Sequence, residues 1–410
     1  MRFIKLFLLI SIFVFVAFSC SREEDTFKVE VIEGVRNVHN VSPKYKDKEF
    51  VTLKELHTIE TFGEKEDFFI SAVYEMEVDD EDNLYLLGSY ESTITKFDRN
   101  GNYIKTMGRE GEGPNELIRP RLFSIHDNKF YINQQILSTN NINIKVWDMD
   151  GKYVELIRMP LDNYEFIKAY DDFFIVLKQV SRTVYSQSGV DKERVEINGG
   201  PSKPAYIIEK MTKDFEVINL IASFVYENGA KSRPNFNVGD AITSQNEIYF
   251  PASSTEYAIN KFDFEGNLLL SFDRTYKRIP YSQTARDYDT KRREEARKNF
   301  EKMFPGQEYR GRAALPKYPP ILRKILVDDY DNVWVVAGEY SEEINTGYDN
   351  KLDATVDIFD KNGVYLYTFK SLHIGLRSFV KNNRLYSVDF YHDATEPEII
   401  RVFEITYNYE

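Results

Sequence analysis

One cysteine, Cys20, is all the chain has, which excludes an internal disulfide framework. Histidine is scarce as well: His39, His57, His126, His373 and His392 are the whole supply, and no two stand at a zinc-ligand spacing. No nucleophile elbow appears, and no glycine-rich segment ends in the Gly-Lys-Ser/Thr of a phosphate-binding loop. Positive charge is short. Lys and Arg number 53 against 66 Asp and Glu, and a net charge of −13 speaks against a nucleic-acid surface. Long apolar runs are missing beyond residue 18, and the run Leu6 to Phe18 falls short of the roughly 20 residues a membrane span needs.

What is there begins with that run. Arg2 and Lys5 precede it and Ala17-Phe18-Ser19-Cys20 follows, the order of an export signal. The placement of Cys20 resembles a bacterial lipoprotein signal, which implies removal of residues 1–19 and lipidation of Cys20. Without Arg2 and Lys5 the formal charge falls from −13 to −15. Several lipid chains, each methylene contributing about 0.8 kcal/mol, would hold the protein stably to a bilayer. Ser21-Arg22-Glu23-Glu24-Asp25 resembles the acidic tag of surface-exported lipoproteins in Bacteroidetes; a merely solvated tether is the competing reading.

Aromatic residues are plentiful, with 28 Tyr and 30 Phe, as a β-rich core requires. Two elements repeat. The first is an Asp-x-x-Gly hairpin turn between apolar runs, at Asp98–Gly101, Asp148–Gly151, Asp263–Gly266 and Asp360–Gly363, with a degenerate copy at Thr212-Lys213-Asp214-Phe215 that has lost its glycine. The second is a short strand with an aromatic in second place: Tyr85, Tyr131, Phe174, Tyr249, Trp334 and Tyr386, at intervals of 46, 43, 75, 85 and 52 residues. Those intervals are the period of a four-stranded propeller blade of about 40 to 50 residues, two of them lengthened by insertions. The acidic turns Asp79–Asp82 and Asp328–Asp331 lack the central glycine and terminal glutamate of a calcium loop and read as turn chemistry. The sixth unit lacks its last strand, and Leu53 to Phe62 is the expected substitute, closing the ring.

Gly108-Arg109-Glu110-Gly111-Glu112-Gly113-Pro114-Asn115-Glu116-Leu117 resembles the glycine-rich segment after the first complete blade of the NHL-like six-bladed β-propeller lipoproteins of Bacteroidetes. The resemblance covers nearly the whole mature chain. It implies an all-β propeller of four-stranded antiparallel blades and an outer-membrane location, facing the surface or the periplasm. Read by itself, the segment is a tight crossing between blades, because Glu110, Glu112 and Glu116 oppose phosphate. The expected organisation is a signal at 1–19, a tether and N-terminal segment at 20–49 and the propeller at 50–410. Thr284 to Phe304 reads as a helical insertion, about 283–304, in the crossing after blade four; a lid or partner-docking helix and a surface helix packed on the rim both fit.

All long segments fall on one face: the loops near Ile136–Ile142, Val180–Lys203, Glu339–Asp353 and Tyr391–Pro397, and the crossing Arg274–Pro320. Insertions on one rim of a rigid scaffold mark the working face. Arg119, Arg121, Asn237, Asp240 and Arg377 are candidate ligand contacts there by topology. His373, His392 and Asp393, with Arg377, are the weak catalytic candidates. No metal or other cofactor is implied. Two function classes stay open: a binding module for an outer-membrane protein partner, an extracellular glycan or a small molecule, and a hydrolase or lyase at the channel mouth.

Overall fold

A computed structural model describes residues 26–409 apart from 64–67, 137–140, 163, 181–204, 226–237, 310, 312–313, 316, 338–353, 372, 376 and 390–397. Its strands form six antiparallel blades spanning residues 73–107, 120–159, 164–225, 238–274, 322–371 and 379–407, the last completed by Val51–Glu60. That closing strand pairs antiparallel with Ile399–Tyr407 from Ile399↔Glu60 to Tyr407↔Val51, so the ring is shut by joining the two ends of the chain. Innermost elements of neighbouring blades touch in cyclic order, and Lys381 and Asn382 of blade six bond to the carbonyls of Val78 and Asp79 of blade one.

The repeats have a physical cause. Asp79 Oδ1 accepts from the amides of Glu81 and Asn83 at 2.9 Å, while Oδ2 accepts from the Tyr85 hydroxyl at 2.9 Å. Asp328 repeats this with Tyr330, Asn332 and the indole of Trp334 at 3.1 Å. One aspartate thus closes the turn between the first two strands and anchors the aromatic that packs between blades. Tyr85, Phe174, Tyr249, Trp334 and Tyr386 are each at most 2% exposed. Burying a side chain of this size contributes about 2–3 kcal/mol. The hairpin aspartates act alike: Asp98 Oδ2 accepts from the Asn102 side chain and Oδ1 from the Asn102 and Asn100 amides, and these bonds, the Asn102 side chain first, hold its carboxyl below the ordinary range.

Two features lie outside the sequence reading. Among the described residues blade four has no inner strand; a 3-10 turn at Val238–Ala241 and a bridge between Ile242 and Ile248 stand there. On its outer edge the hairpin Phe27–Ile32 and Val35–Asn40 adds two strands, the second pairing parallel with Leu268–Arg274. The chain then runs along blade five, with the Lys44 and Tyr45 amides bonded to the carbonyls of Tyr365 and Leu366 at 2.9 Å, before entering blade six. Residues 27–60 therefore run along the outer side of three consecutive blades, adding strands to blade four, bonding to the outer strand of blade five and supplying the outer strand of blade six.

The expected helix is present as Gln283–Met303. Among the described residues no strand packs extensively against it, and Met303 and Phe304 are 66% and 44% exposed. Its first half is tied down by Arg286 to the Lys317 carbonyl and Asp289 to the Leu315 amide, while Phe300 packs near Phe304 and Tyr309.

Candidate functional site

The two faces differ in chemistry. At the short-turn end the polar turns lock one blade to the next: Asn382 to Asp82 at 2.7 Å, Ser244 to Asp331 at 3.2 Å and Arg384 to the Arg99 carbonyl at 2.9 Å. Those groups are spent on the ring. The opposite end is different. Four inner strands begin with a bulge, and Tyr74, Arg121, Glu165 and Arg323 are the extra residues. Bulges at barrel and propeller rims re-aim side chains and are frequent beside sites.

The long-loop end of blade one carries an aromatic group. Phe62 and Phe69 face each other across a two-residue pairing at 6.2 Å and are 41% and 55% exposed; Tyr74 and Tyr90 are 43% and 76% exposed. The Ser71 amide bonds to Glu91 at 3.1 Å, which joins the crossing that carries Phe69 to the loop that carries Tyr90. Gly108 sits against the Ser92 carbonyl, so the glycine-rich crossing flanks the same loop. Within that crossing Glu116 occupies the place an anion would take. Its Oε2 accepts from the Gly113 amide at 2.8 Å and its Oε1 from Arg109 at 2.9 Å. Lys145 caps the Gly113 and Glu116 carbonyls at 2.9 and 2.6 Å. The segment is a self-closed crossing, as its residues imply.

Arg119 and Arg121 follow it, both exposed, and neither makes an ion pair with a described residue. Arg119 holds φ at +43° directly before Pro120, a left-handed conformation that costs a non-glycine residue about 1–3 kcal/mol. The remaining candidates are not gathered with them. Asp240 belongs to the 3-10 turn that replaces the inner strand of blade four, not to a crossing before it, and its carboxylate is paired with Lys324 at 2.8 Å. Arg377 is enclosed and forms a bidentate pair with Glu398 at 2.5 and 3.2 Å while donating to the Val73 carbonyl. Burial pushes Arg377 down to about 10 against the pull of Glu398. Because Glu398 also accepts from the Val73 amide at 2.7 Å, this pair bonds blade six to blade one. The His373 ring packs on Phe403 at 5.1 Å. Asn237, His392 and Asp393 lie outside the described residues.

A second group, missed in the sequence, lines the axis. Glu77 of blade one is enclosed by protein while remaining open to the channel, and burial raises its carboxyl to about 7, with Lys168 and Lys381 opposing the rise. Its electrostatic partners sit on blades three, four and six, so charges face one another across the axis. Asp240 is likewise raised by burial, with Lys324 and Lys168 opposing. A usable signal existed: each of these charges interrupts an apolar inner strand, as in Met76-Glu77-Val78 and Ile167-Lys168-Ala169, where only the axis can receive it. Among the described residues no group of three or more metal-ligating side chains converges, and no helix is long and apolar enough to cross a membrane.

A ring of six blades closed by its own N-terminal strand defines a six-bladed β-propeller. The chain belongs to the DUF5128 family, described as a 6-bladed beta-propeller, whose model matches residues 34–295. An exported protein of Bacteroides fragilis NCTC 9343 is similar at 11% identity over 90% of this chain and 99% of its own, with a TM-score of 0.50. A DUF4221 protein from Bacteroides vulgatus is similar at 11% identity over 88% and 99%, with a TM-score of 0.49. Virginiamycin B lyase from Staphylococcus aureus is similar at 11% identity over 87% and 100%, with a TM-score of 0.38. Likeness at these identities is one of fold. No curated protein matches the chain.

Proposed function

We propose that the protein is an exported lipoprotein, held to the outer membrane through Cys20, whose propeller binds an extracellular ligand or a protein partner through its long-loop face. The observation that carries this reading is the exposed aromatic group Phe62, Phe69, Tyr74 and Tyr90 at that end of blade one, next to the crossing that leads to Arg119 and Arg121. Exposed aromatics beside arginine are the composition of binding hot spots. Support for export comes from the signal at residues 1–19 and from the exported B. fragilis protein that shares the fold. The strained Arg119 backbone agrees with a role other than stability.

The test uses residues 21–410 immobilised and exposed to surface-labelled outer-membrane extract, with Phe69→Ala/Tyr90→Ala alongside. Capture of a defined partner by the parent and at least a tenfold loss in the double variant is expected; equal capture by both overturns the face assignment. Metabolic labelling with a clickable fatty acid tests the anchor, because Cys20→Ser must abolish it.

A second reading, acid–base chemistry at the channel, is favoured by one observation: Glu77, raised to about 7, shares the axis with Lys168. It predicts turnover of an extracellular substrate that is lost in Glu77→Gln.

A further inference from the structure

The outer strands of the blades are interrupted by bulges. The outermost pairing slips between Lys96 and Phe97 in blade one, Val146 and Trp147 in blade two, Ile358 and Phe359 in blade five and Val402 and Phe403 in blade six, and blade three slips at two points. A bulge bends and twists its strand, which spoils flat pairing with another chain. The N-terminal hairpin has no such break. Its register runs from Phe27↔Asn40 to Ile32↔Val35 without a shift, and Phe27–Ile32 is the last strand of its sheet among the described residues. Lys28 to Ile32 are all exposed, the apolar Val29, Val31 and Ile32 included.

The turn decides which backbone groups face outward. Glu33 and Gly34 both hold positive φ, so the hairpin closes on a two-residue type I′ turn with Ile32↔Val35 as its hydrogen-bonded pair. Such pairs alternate along an antiparallel ladder, which makes Glu30↔Asn37 and Lys28↔His39 the next ones. The Val41 amide, bonded to the Thr26 carbonyl at 2.9 Å, keeps the same phase. The amides and carbonyls of Phe27, Val29 and Val31 therefore point to the open side.

We propose that this edge takes a second copy of the chain, two protomers pairing antiparallel through Phe27–Ile32 about a two-fold axis at Val29. Bonding phase and charge fix the register together. An outward residue bonds only to an outward residue, so Val29 meets the partner's Val29, the partner's Val31 or the partner's Phe27. The second choice sets Glu30 against the partner's Glu30, and the third sets Lys28 against the partner's Lys28; like charges directly opposite are unfavourable. Only the first sets Lys28 against the partner's Glu30, and the two-fold axis repeats that contact. It also places Phe27 opposite the partner's Val31, on the face where the cross-strand neighbour Val38 is already buried. The edge lies outside blade four, so the dimer depends neither on the aromatic group of blade one nor on Cys20.

A single strand edge buries less than a standard interface, so association in the micromolar range is expected. Sedimentation velocity of residues 21–410 at low salt, from about 1 to about 200 µM, should show a monomer–dimer equilibrium. Val29→Pro removes an N–H that points away from the hairpin, a place where an edge strand tolerates proline, and should weaken the dimer at least tenfold. Lys28→Glu and Glu30→Lys each set like charges opposite in a homodimer and should each sediment as monomers. Mixed one to one, they match opposite charges at both contacts and should associate again. Glu30→Lys also gives up the His39 contact, so the mixture carries the register test and not that variant alone. The proposal is overturned if the parent stays monomeric at the highest concentration, if Val29→Pro dimerises like the parent, or if the mixture associates no better than its components. Melting curves accompany each variant; should Val29→Pro fail to fold, the mixture decides.

Discussion

His39 Nδ1 lies 2.7 Å from the carboxylate of Asp273, and its Nε2 lies 2.6 Å from Glu30. One ring therefore ties both strands of the N-terminal hairpin to the outer strand of blade four, across the parallel pairing His39↔Asp273. Burial by itself would lower the imidazole pKa, but the hydrogen bonds and charges of Asp273 and Glu30 outweigh it and raise it above 6.5. A raised folded-state value means that the clasp is fully present below pH 6.5 and is lost as pH rises through that higher value. Because the ring is 41% exposed, the effect belongs to the hairpin and not to the global fold. Amide exchange of residues 27–40 should speed up between pH 6 and pH 9, after correction for intrinsic rates. His39→Ala should show fast exchange at both pH values, whereas a variant that exchanges like the parent would leave His39 without this role.

Glu77 has the same pH direction for a different reason, because its charged form is disfavoured by burial. Its carboxyl is raised from 4.5 to about 7, so the folded state holds its proton more tightly than the unfolded chain does. Stability then falls as pH climbs from 4.5 to 7, and the full penalty remains above that range. At 1.36 kcal/mol per pKa unit the penalty is about 3 kcal/mol. Glu77→Gln removes it, so urea unfolding should find the variant more stable than the parent by this amount at pH 8 and equal to it at pH 4. A variant less stable at pH 8 would show that the carboxylate has a partner in the folded protein.

The fold was legible because its repeat is made of local chemistry. Asp79 with Tyr85 and Asp328 with Trp334 are each six residues apart, so turn, strand and buried ring are written in one short segment. The closing strand was legible by elimination, since a sixth blade short of one strand must find it elsewhere. The N-terminal hairpin was not, because Asn40 reaches Asp273 and Gly363, more than 230 residues away, and nothing local announces such a bond. The same holds for two candidate contacts. Arg377 and Asp240 look available in the sequence, but Glu398 and Lys324 occupy them through the tertiary fold. Topology located the long-loop face and could not say which of its charges the ring itself would consume.

The third blade tests how far turn chemistry can be overridden. Gly101, Gly151, Gly266 and Gly363 hold φ between +80° and +89° at the end of their hairpins, and Phe215 holds +62° at the same point. Its backbone costs about 1–2 kcal/mol relative to glycine. The ring, 5% exposed and stacked on Phe174 at 5.1 Å, offsets more than that, because truncating a buried phenylalanine costs about 3–5 kcal/mol. Phe215→Gly should therefore destabilise the protein by about 1–4 kcal/mol despite restoring the consensus turn, and a stabilised variant would refute the packing account. Gly101→Ala fails for both reasons at once, since its Cβ would sit 2.6 Å from His57 at φ +83°.

The helix Gln283–Met303 contributes to the surface and not to the ring. Its 21 residues reach about 30 Å, its second half is exposed, and its ties to the rest are bonds such as Arg286 to the Lys317 carbonyl. Removing residues 283–304 leaves 305–320 to bridge blades four and five, and 16 residues extend to about 50 Å, so closure is not strained. The buried Tyr281 and the contact of Arg278 with the Tyr318 ring at 4.5 Å stay in the chain. The deletion should shift the melting midpoint by less than about 1–2 °C, the equivalent of roughly 1 kcal/mol in a protein of this size. If the truncated protein also captures the partner of the long-loop face unchanged, the helix is no lid. A tenfold loss of capture at an unchanged midpoint would place Met303 and Phe304 in the contact, since those exposed apolar residues are what the deletion removes from that face.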